Sequence, residues 1–194
     1  MPNDRTHFRG KRLFLSIDLP DYLKERLSQL KEDCKGFHWV RPELMHITLK
    51  FIGDMPGQFQ SKIEEAIDPI EVQSFMIPIE GLGVFPHMGK PHAIWVGVKN
   101  GHPHLYQLQK KIEDALFSIG IEPERRIYVP HITLARVSNA SPETVRQYLK
   151  RNAEFATAPM KIESFDLLRS EEIEGIRHYA HEKTWALTSP QTNL

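Results

Sequence analysis

Between Lys11 and Asp18, Leu13, Leu15 and Ile17 recur at a period of two, which predicts a strand. Leu19-Pro20-Asp21 breaks that pattern. From 21 to 34, Leu23, Leu27 and Leu30 fall at helical spacing among Lys, Glu and Arg, predicting an amphipathic helix with Asp21 as its N-cap. Phe59, Ile63 and Ile67 predict a second helix over 58–67, and Leu105, Leu108, Ile112, Ala115 and Leu116 a third over 104–118. Ser141-Pro142-Glu143 opens a short fourth, with the cap followed by proline. Strands are predicted at 74–80, 92–98, 162–169 and about 178–187. Strands and helices interleave without clean βαβ alternation, so the expected class is α+β with antiparallel sheets. Residues 1–10 and 189–194 read as loose ends of one domain spanning the chain.

One tetrad occurs twice. His46-Ile47-Thr48-Leu49 and His131-Ile132-Thr133-Leu134 lie 85 residues apart. Each follows a proline-containing segment, Val40-Arg41-Pro42 and Tyr128-Val129-Pro130, and each lies downstream of an amphipathic helix. The expected architecture is two strand–helix–strand lobes related by an approximate twofold. On a strand, His46 and Thr48 share one face while Ile47 and Leu49 share the other, and the second tetrad repeats this. If the lobes face each other, two imidazoles and two hydroxyls converge on one cleft.

Composition narrows what that cleft does. The chain has 194 residues, 25 Lys plus Arg and 25 Asp plus Glu, hence zero formal net charge. That balance argues against coating long nucleic acid, which rests on excess positive charge, and leaves a nucleic-acid end or a nucleotide. No apolar run is long enough for a membrane span and no secretory leader is visible, so the expected location is the cytoplasm. The lone Cys34 excludes an internal disulfide and a thiolate-rich metal site, and is read as packing. His87, His92, His102 and His104 cluster, but no acidic or cysteine ligand pattern accompanies them, so no metal is expected. Gly81-Leu82-Gly83 lacks a third glycine and reads as a turn, and no Gly-x-Ser-x-Gly elbow is present.

Two histidines are a natural acid–base pair, because an unperturbed imidazole titrates at about 6.5. One takes a proton from water; the other gives a proton to a leaving oxygen. Two threonine hydroxyls donate hydrogen bonds to non-bridging phosphate oxygens. Phosphodiester hydrolysis needs these parts and, with a good leaving group, no cofactor or metal.

The doubled His-x-Thr-Leu resembles the signature of the two-histidine (2H) phosphoesterases, and within them the bacterial and archaeal 2'-5' RNA ligase branch. Arg12-Leu13-Phe14-Leu15, His38-Trp39-Val40-Arg41-Pro42-Glu43, Lys50-Phe51-Ile52-Gly53, Gly81-Leu82-Gly83-Val84-Phe85-Pro86 and Pro130 to Arg136 carry the likeness further. Leu168-Arg169-Ser170 and His178-Tyr179 fit more loosely, and the likeness spans roughly residues 11–187. The resemblance implies a bilobal α+β fold, with two antiparallel sheets facing a central cleft and helices outside. It implies hydrolysis of RNA 2',3'-cyclic phosphate termini to 2'-phosphates, with 2'-5' ligation as a reverse activity. By carry-over His46 is the proton donor, His131 the base, and Thr48 and Thr133 bind the phosphate. The two histidine environments look alike in the sequence itself, so the residues alone do not divide those roles.

Four further positions follow. The family pattern gives Arg136 a binding role. Strict alternation places it opposite His131 and Thr133, so it reaches the substrate only from the strand end or through a bulge. Lys50 falls on the His46 face and adds positive charge. Phe14 and Phe51 read first as core residues, with stacking of a base as the functional alternative, and alternation puts Phe51 on the apolar face. The expected partner is an RNA terminus or nucleotide bearing a 2',3'-cyclic phosphate, and the expected state a monomer. Two other readings stand beside this one: an RNA-end or nucleotide-binding module without useful turnover, and a cyclic phosphodiesterase for a small nucleotide metabolite.

Overall fold

The computed structural model describes residues 10–98 and 102–189. Apart from Gly10 and Ser189, the expected loose ends therefore lie outside the described residues. β1 (Lys11–Asp18) leads to α1 (Asp21–Ser28), a short β2 (Phe37–Trp39), β3 (His46–Met55), α2 (Gln60–Ile67), β4 (Phe75–Ile77) and β5 (Leu82–Phe85). The series then repeats: β6 (Ala93–Gly97), α3 (Pro103–Ser118), β7 (His131–Val137), α4 (Pro142–Arg151), β8 (Met160–Ile162) and β9 (Ser164–Ile173), followed by β10 (Ile176–Ala186). Leaving β2 and β10 aside, the order β-α-β-α-β-β occurs twice.

Strand pairing crosses the two halves of the chain. The large sheet runs β10-β9-β1-β3-β7-β6-β5, with β2 also against β7. β9, from the second half, pairs with β1, and β5, from the first half, pairs with β6. β4 and β8 pair separately as a small sheet. Each lobe thus takes an outer strand from the opposite half. The two antiparallel lobes meet at one rung, Ile47 opposite Ile132. The expected approximate twofold passes through that rung, and the α+β, bilobal reading holds.

The helices bury Leu23 and Leu27, Ile63 and Ile67, Leu105, Leu108, Ile112 and Leu116, and Val145 and Tyr148. These join Leu13, Leu15, Ile17, Ile47, Leu49, Ile132 and Leu134 in one core. That burial spends the apolar stripes of helices and strands on one side of the sheet and leaves the polar side of β3 and β7 open. α1 is shorter than expected. Beyond Ser28, Leu30 and Lys31 make three-residue turn bonds to Leu27 and Ser28, although Leu30 still reaches the core. Asp21 is not the cap. Pro20 holds that position, its carbonyl accepting from Leu23 and Lys24, and Asp21 sits in the first turn, where a carboxylate suits the helix dipole. α4 begins as predicted, with Ser141 Oγ accepting from the Thr144 amide at 3.0 Å.

Candidate active site

Both motif strands carry the same irregularity at the same place. Opposite β1, Leu49 is skipped: Leu15 pairs with Lys50 and Ser16 with Thr48. Opposite β6, Leu134 is skipped: Ile94 pairs with Ala135 and Trp95 with Thr133. A bulge adds one residue and reverses the faces beyond it. Leu49 and Lys50 therefore both turn inward, as do Leu134 and Ala135. Phe51 and Arg136 emerge on the face of the histidines and threonines, and both are exposed.

This corrects three expectations. Lys50 does not face the cleft: it is 4 % exposed, and its Nζ donates to Glu113 Oε2 at 2.8 Å and to the Glu122 carbonyl at 2.9 Å. Phe51 is not on the apolar face: it is 62 % exposed beside the cleft. Phe14 lies on the cleft face but is 2 % exposed, packed beneath His46, Phe51 and Tyr179 at ring distances of 5.1, 5.9 and 4.8 Å. It supports the imidazole and has no free face for a base. Arg136 reaches the cleft by the bulge route.

The rung at Ile47 and Ile132 places the four motif side chains around one centre. Antiparallel pairing sets His46 beside Thr133 and Thr48 beside His131, all on the uncovered face. Each histidine is held alike. His46 Nδ1 lies 2.8 Å from the Leu44 carbonyl, and His131 Nδ1 lies 2.7 Å from the Val129 carbonyl. A carbonyl only accepts, so Nδ1 carries the proton in both rings and Nε2 is the working nitrogen. In the free protein Thr48 Oγ1 sits 3.1 Å from His46 Nε2. Tyr128, ahead of the second motif, donates its hydroxyl to the Thr48 carbonyl at 3.1 Å and so ties the two motifs together. Burial pushes the Tyr128 phenol far above its ordinary range, which keeps that donor protonated.

Burial also lowers both imidazole pKa values below the usual 6.5 or so, against the carbonyl contacts, which favour the charged form. The remaining influences differ. His46 feels the positive form of His131 and, opposing it, the Asp18 carboxylate. His131 feels the Arg136 guanidinium, which disfavours its protonation.

Aromatic rings wall each imidazole. Tyr179 meets His46 edge-on at 5.3 Å, and Phe85 meets His131 edge-on at 4.8 Å, with Trp95 6.1 Å away. Tyr179 comes from the second half of the chain and Phe85 from the first, because of the strand exchange. Period-two reading singled out none of these walls; Phe85 and Tyr179 stood only as fragments of a family likeness. The Trp95 indole is seated on a glycine: a Cβ at Gly83 would lie 2.2 Å from its Cζ2. Gly83→Ala must displace the ring that backs His131 and Thr133. We expect turnover to drop roughly 10–100-fold with far-UV circular dichroism retained. An unchanged rate would show that the indole does not set the position of the second motif.

Of the remaining candidates, His87 packs behind the second wall, 5.5 Å from Phe85 and 6.1 Å from Trp95, while His102 and Cys34 are engaged elsewhere. The His102 side chain caps α3, accepting from the His104 amide at 3.2 Å, and its ring stacks on Phe75 at 5.0 Å. The Cys34 thiol is pushed up, chiefly by burial, which makes it a poor nucleophile. Among the described residues no group of three or more His, Cys, Asp or Glu is arranged to hold a metal ion, and no helix is long and apolar enough to cross a membrane.

Comparison with known proteins gives a consistent picture. The sequence profile of the LigT like Phosphoesterase family matches twice, over residues 17–95 and 96–177, one match to each motif. The chain is 30 % identical over 162 residues to the RNA 2',3'-cyclic phosphodiesterase of Archaeoglobus fulgidus, covering 82 % of this chain and 90 % of that protein. It is 31 % identical over 168 residues to the protein of that name from Methanothermobacter thermautotrophicus, with coverages of 82 % and 90 %. Among solved structures, apo LigT of E. coli superposes with a TM-score of 0.77 at 21 % identity, over 93 % of this chain and 99 % of that one, a likeness of fold.

Proposed function

The chain belongs to the LigT-like phosphoesterase family, and from that premise we propose that it hydrolyses RNA 2',3'-cyclic phosphate termini to 2'-phosphates, with His46 and His131 as acid and base. The observation that carries this reading is the pair of identically anchored imidazoles, each with Nδ1 on a backbone carbonyl and Nε2 directed to one cleft. The environments favour one division of labour. Burial, and after it the Arg136 cation, disfavours the charged form of His131, which suits the base that takes a proton from water. Burial lowers His46 as well, but there the Leu44 carbonyl and the Asp18 carboxylate oppose it and no guanidinium adds to it, which suits the acid.

The cyclic phosphate sits between the two Nε2 atoms. As His131 Nε2 accepts a proton from water, the water oxygen attacks phosphorus and the bond to the 3'-oxygen breaks. His46 Nε2–H protonates that leaving oxygen, and the phosphate remains on the 2'-oxygen. Thr48 and Thr133 donate to the non-bridging oxygens, and Arg136 offsets the negative charge. With a 5'-hydroxyl in place of water, the same groups form a 2'-5' linkage. The scheme asks for a proton acceptor, a donor and hydrogen bonds to the oxyanion; these side chains supply all three, so the proposal is a metal-independent one.

A short RNA ending in a 2',3'-cyclic phosphate, incubated with excess chelator and followed by phosphorus NMR, tests it. The expected product is the 2'-phosphate. A 3'-phosphate would reverse the leaving-group assignment. Loss of turnover on chelation would end metal independence. Binding without turnover would make the protein a module that recognises RNA ends.

A further inference from the structure

β9 pairs with β1 only over Asp166–Ser170, but with β10 as far as Ile173 opposite Ile176. Beyond Ser170 the two strands therefore continue as a free arm. The arm closes on Glu174 and Gly175, both with positive φ (52° and 76°), a two-residue hairpin turn that matches the strand twist. Arg41, from the segment ahead of the first motif, donates to the Arg177 carbonyl and ties the arm down. One rung of this region carries Arg12, Ser170 and Tyr179 on adjacent strands. Arg12 lies two residues from Phe14 along a regular pairing, so it shares the cleft face. Arg177 lies two residues before Tyr179 and donates from Nη1 to Ser170 Oγ at 2.8 Å. Tyr179 in turn stands against His46, at a ring distance of 5.3 Å. Two guanidinium groups thus flank the aromatic wall of the first histidine, one from the sheet and one from the arm.

The nearby carboxylates do not cancel them. Arg12 has Asp54 as its cross-strand partner, yet among the described residues it makes no ion pair. Arg177 reaches Glu172 at 3.5 Å, with both side chains open to solvent, a weak contact. Burial pushes the Tyr179 phenol up, and the opposing pull comes from Arg177, Arg136 and Arg12, with no carboxylate in play.

We propose that Arg12 and Arg177, on either side of Tyr179, bind the phosphodiester preceding the terminal nucleotide of an RNA end, so that the protein selects oligonucleotide ends over free cyclic mononucleotides. This rests on the phosphodiesterase reading above. With the cyclic phosphate between the two histidines, the chain leaves the terminal ribose through its 5'-oxygen, and the next phosphate falls one nucleotide away. A group flanking the wall of His46 is placed to meet it. Guanidinium forks match phosphate oxygens two at a time. The chain has zero net charge, so the attraction has to be local, and two cations at one end of the cleft provide it.

The test compares kcat/KM for a 2',3'-cyclic mononucleotide, the dinucleotide with the same 3' end, and that dinucleotide with an uncharged methylphosphonate link. The wild-type protein should favour the charged dinucleotide over both others by roughly tenfold or more, and rising salt should erode that advantage. The double variant Arg12→Gln, Arg177→Gln should lose the advantage while still opening the mononucleotide, which also reports that it is folded. Equal rates for the charged and methylphosphonate dinucleotides, or an advantage that survives in the double variant, would overturn the subsite and leave the phosphodiesterase reading intact. Failure of the wild-type protein to open any of the three would overturn that reading, and the subsite with it.

Discussion

His131→Ala is expected to lower kcat/KM for an RNA 2',3'-cyclic phosphate by about 10²–10⁴-fold, and His46→Ala by a similar factor, with the fold retained. Both side chains face the open side of the sheet, and among the described residues their hydrogen-bonding ties are to Leu44, Val129 and Thr48, so neither holds the core together. Because the two act in one step, the double variant should lose far less than the product of the single losses. The pH profile adds a sign. The rate rises with pH as the base loses its proton and falls as the acid loses its own. Burial lowers both imidazoles, so the optimum of kcat/KM, which reports the free protein, should lie below about 6.5. The positive form of one ring disfavours that of the other, so the two limbs belong to the pair. His131→Ala should flatten the acidic limb and His46→Ala the alkaline limb. Arg136→Gln removes a cation that opposes protonation of His131 and should move the acidic limb upward. Near-normal rates in both alanine variants would remove the acid–base assignment.

The doubled tetrad made the centre of the site legible. Four side chains at identical offsets on two strands fix a face, and the structure places all four on the same one. Legibility ended at the fifth residue. Alternation carries only as far as Leu49 and Leu134, because the bulge there shifts the phase. A signal for it was present. Ile47, Leu49 and Ile52 step by two and then three, as do Ile132, Leu134 and Val137. That shared slip marks an inserted residue in each strand and places Phe51 and Arg136 with the histidines. The aromatic walls were less accessible. Phe85 and Tyr179 reach the site because β5 and β9 are exchanged between the halves of the chain, and local pattern carries no information about which distant strands pair. The helix end at Ser28 was missed for a related reason. Leu30 keeps the helical spacing and is buried, but from a turn rather than from a helix.

Lys50→Ala is expected to destabilise the protein by about 3–5 kcal/mol while leaving the kinetics of the folded protein near wild type. The bulge at Leu49 turns this ammonium into the core side, where Glu113, also buried, receives it at 2.8 Å and the Glu122 carbonyl accepts a second bond. Removing the cation leaves a buried carboxylate whose one remaining partner among the described residues is the Gln109 amide, at 3.1 Å. That residual charge costs far more than the pair contributes, since the ion pair itself is offset by the desolvation of both groups. At about 2–4 °C per kcal/mol for a chain of this size, the melting temperature should fall by roughly 6–20 °C. The second lobe shows the economical alternative: the equivalent position is Ala135, fully buried and apolar. Lys50→Met combined with Glu113→Leu should therefore recover most of the loss, because it removes both charges and keeps the volume. Had Lys50 met the RNA, the variant would keep its melting temperature and lose affinity for the phosphate, with a shallower salt dependence. A thermal melt together with KM at low temperature separates the two, and the contacts of Lys50 with Glu113 and Glu122 predict the first.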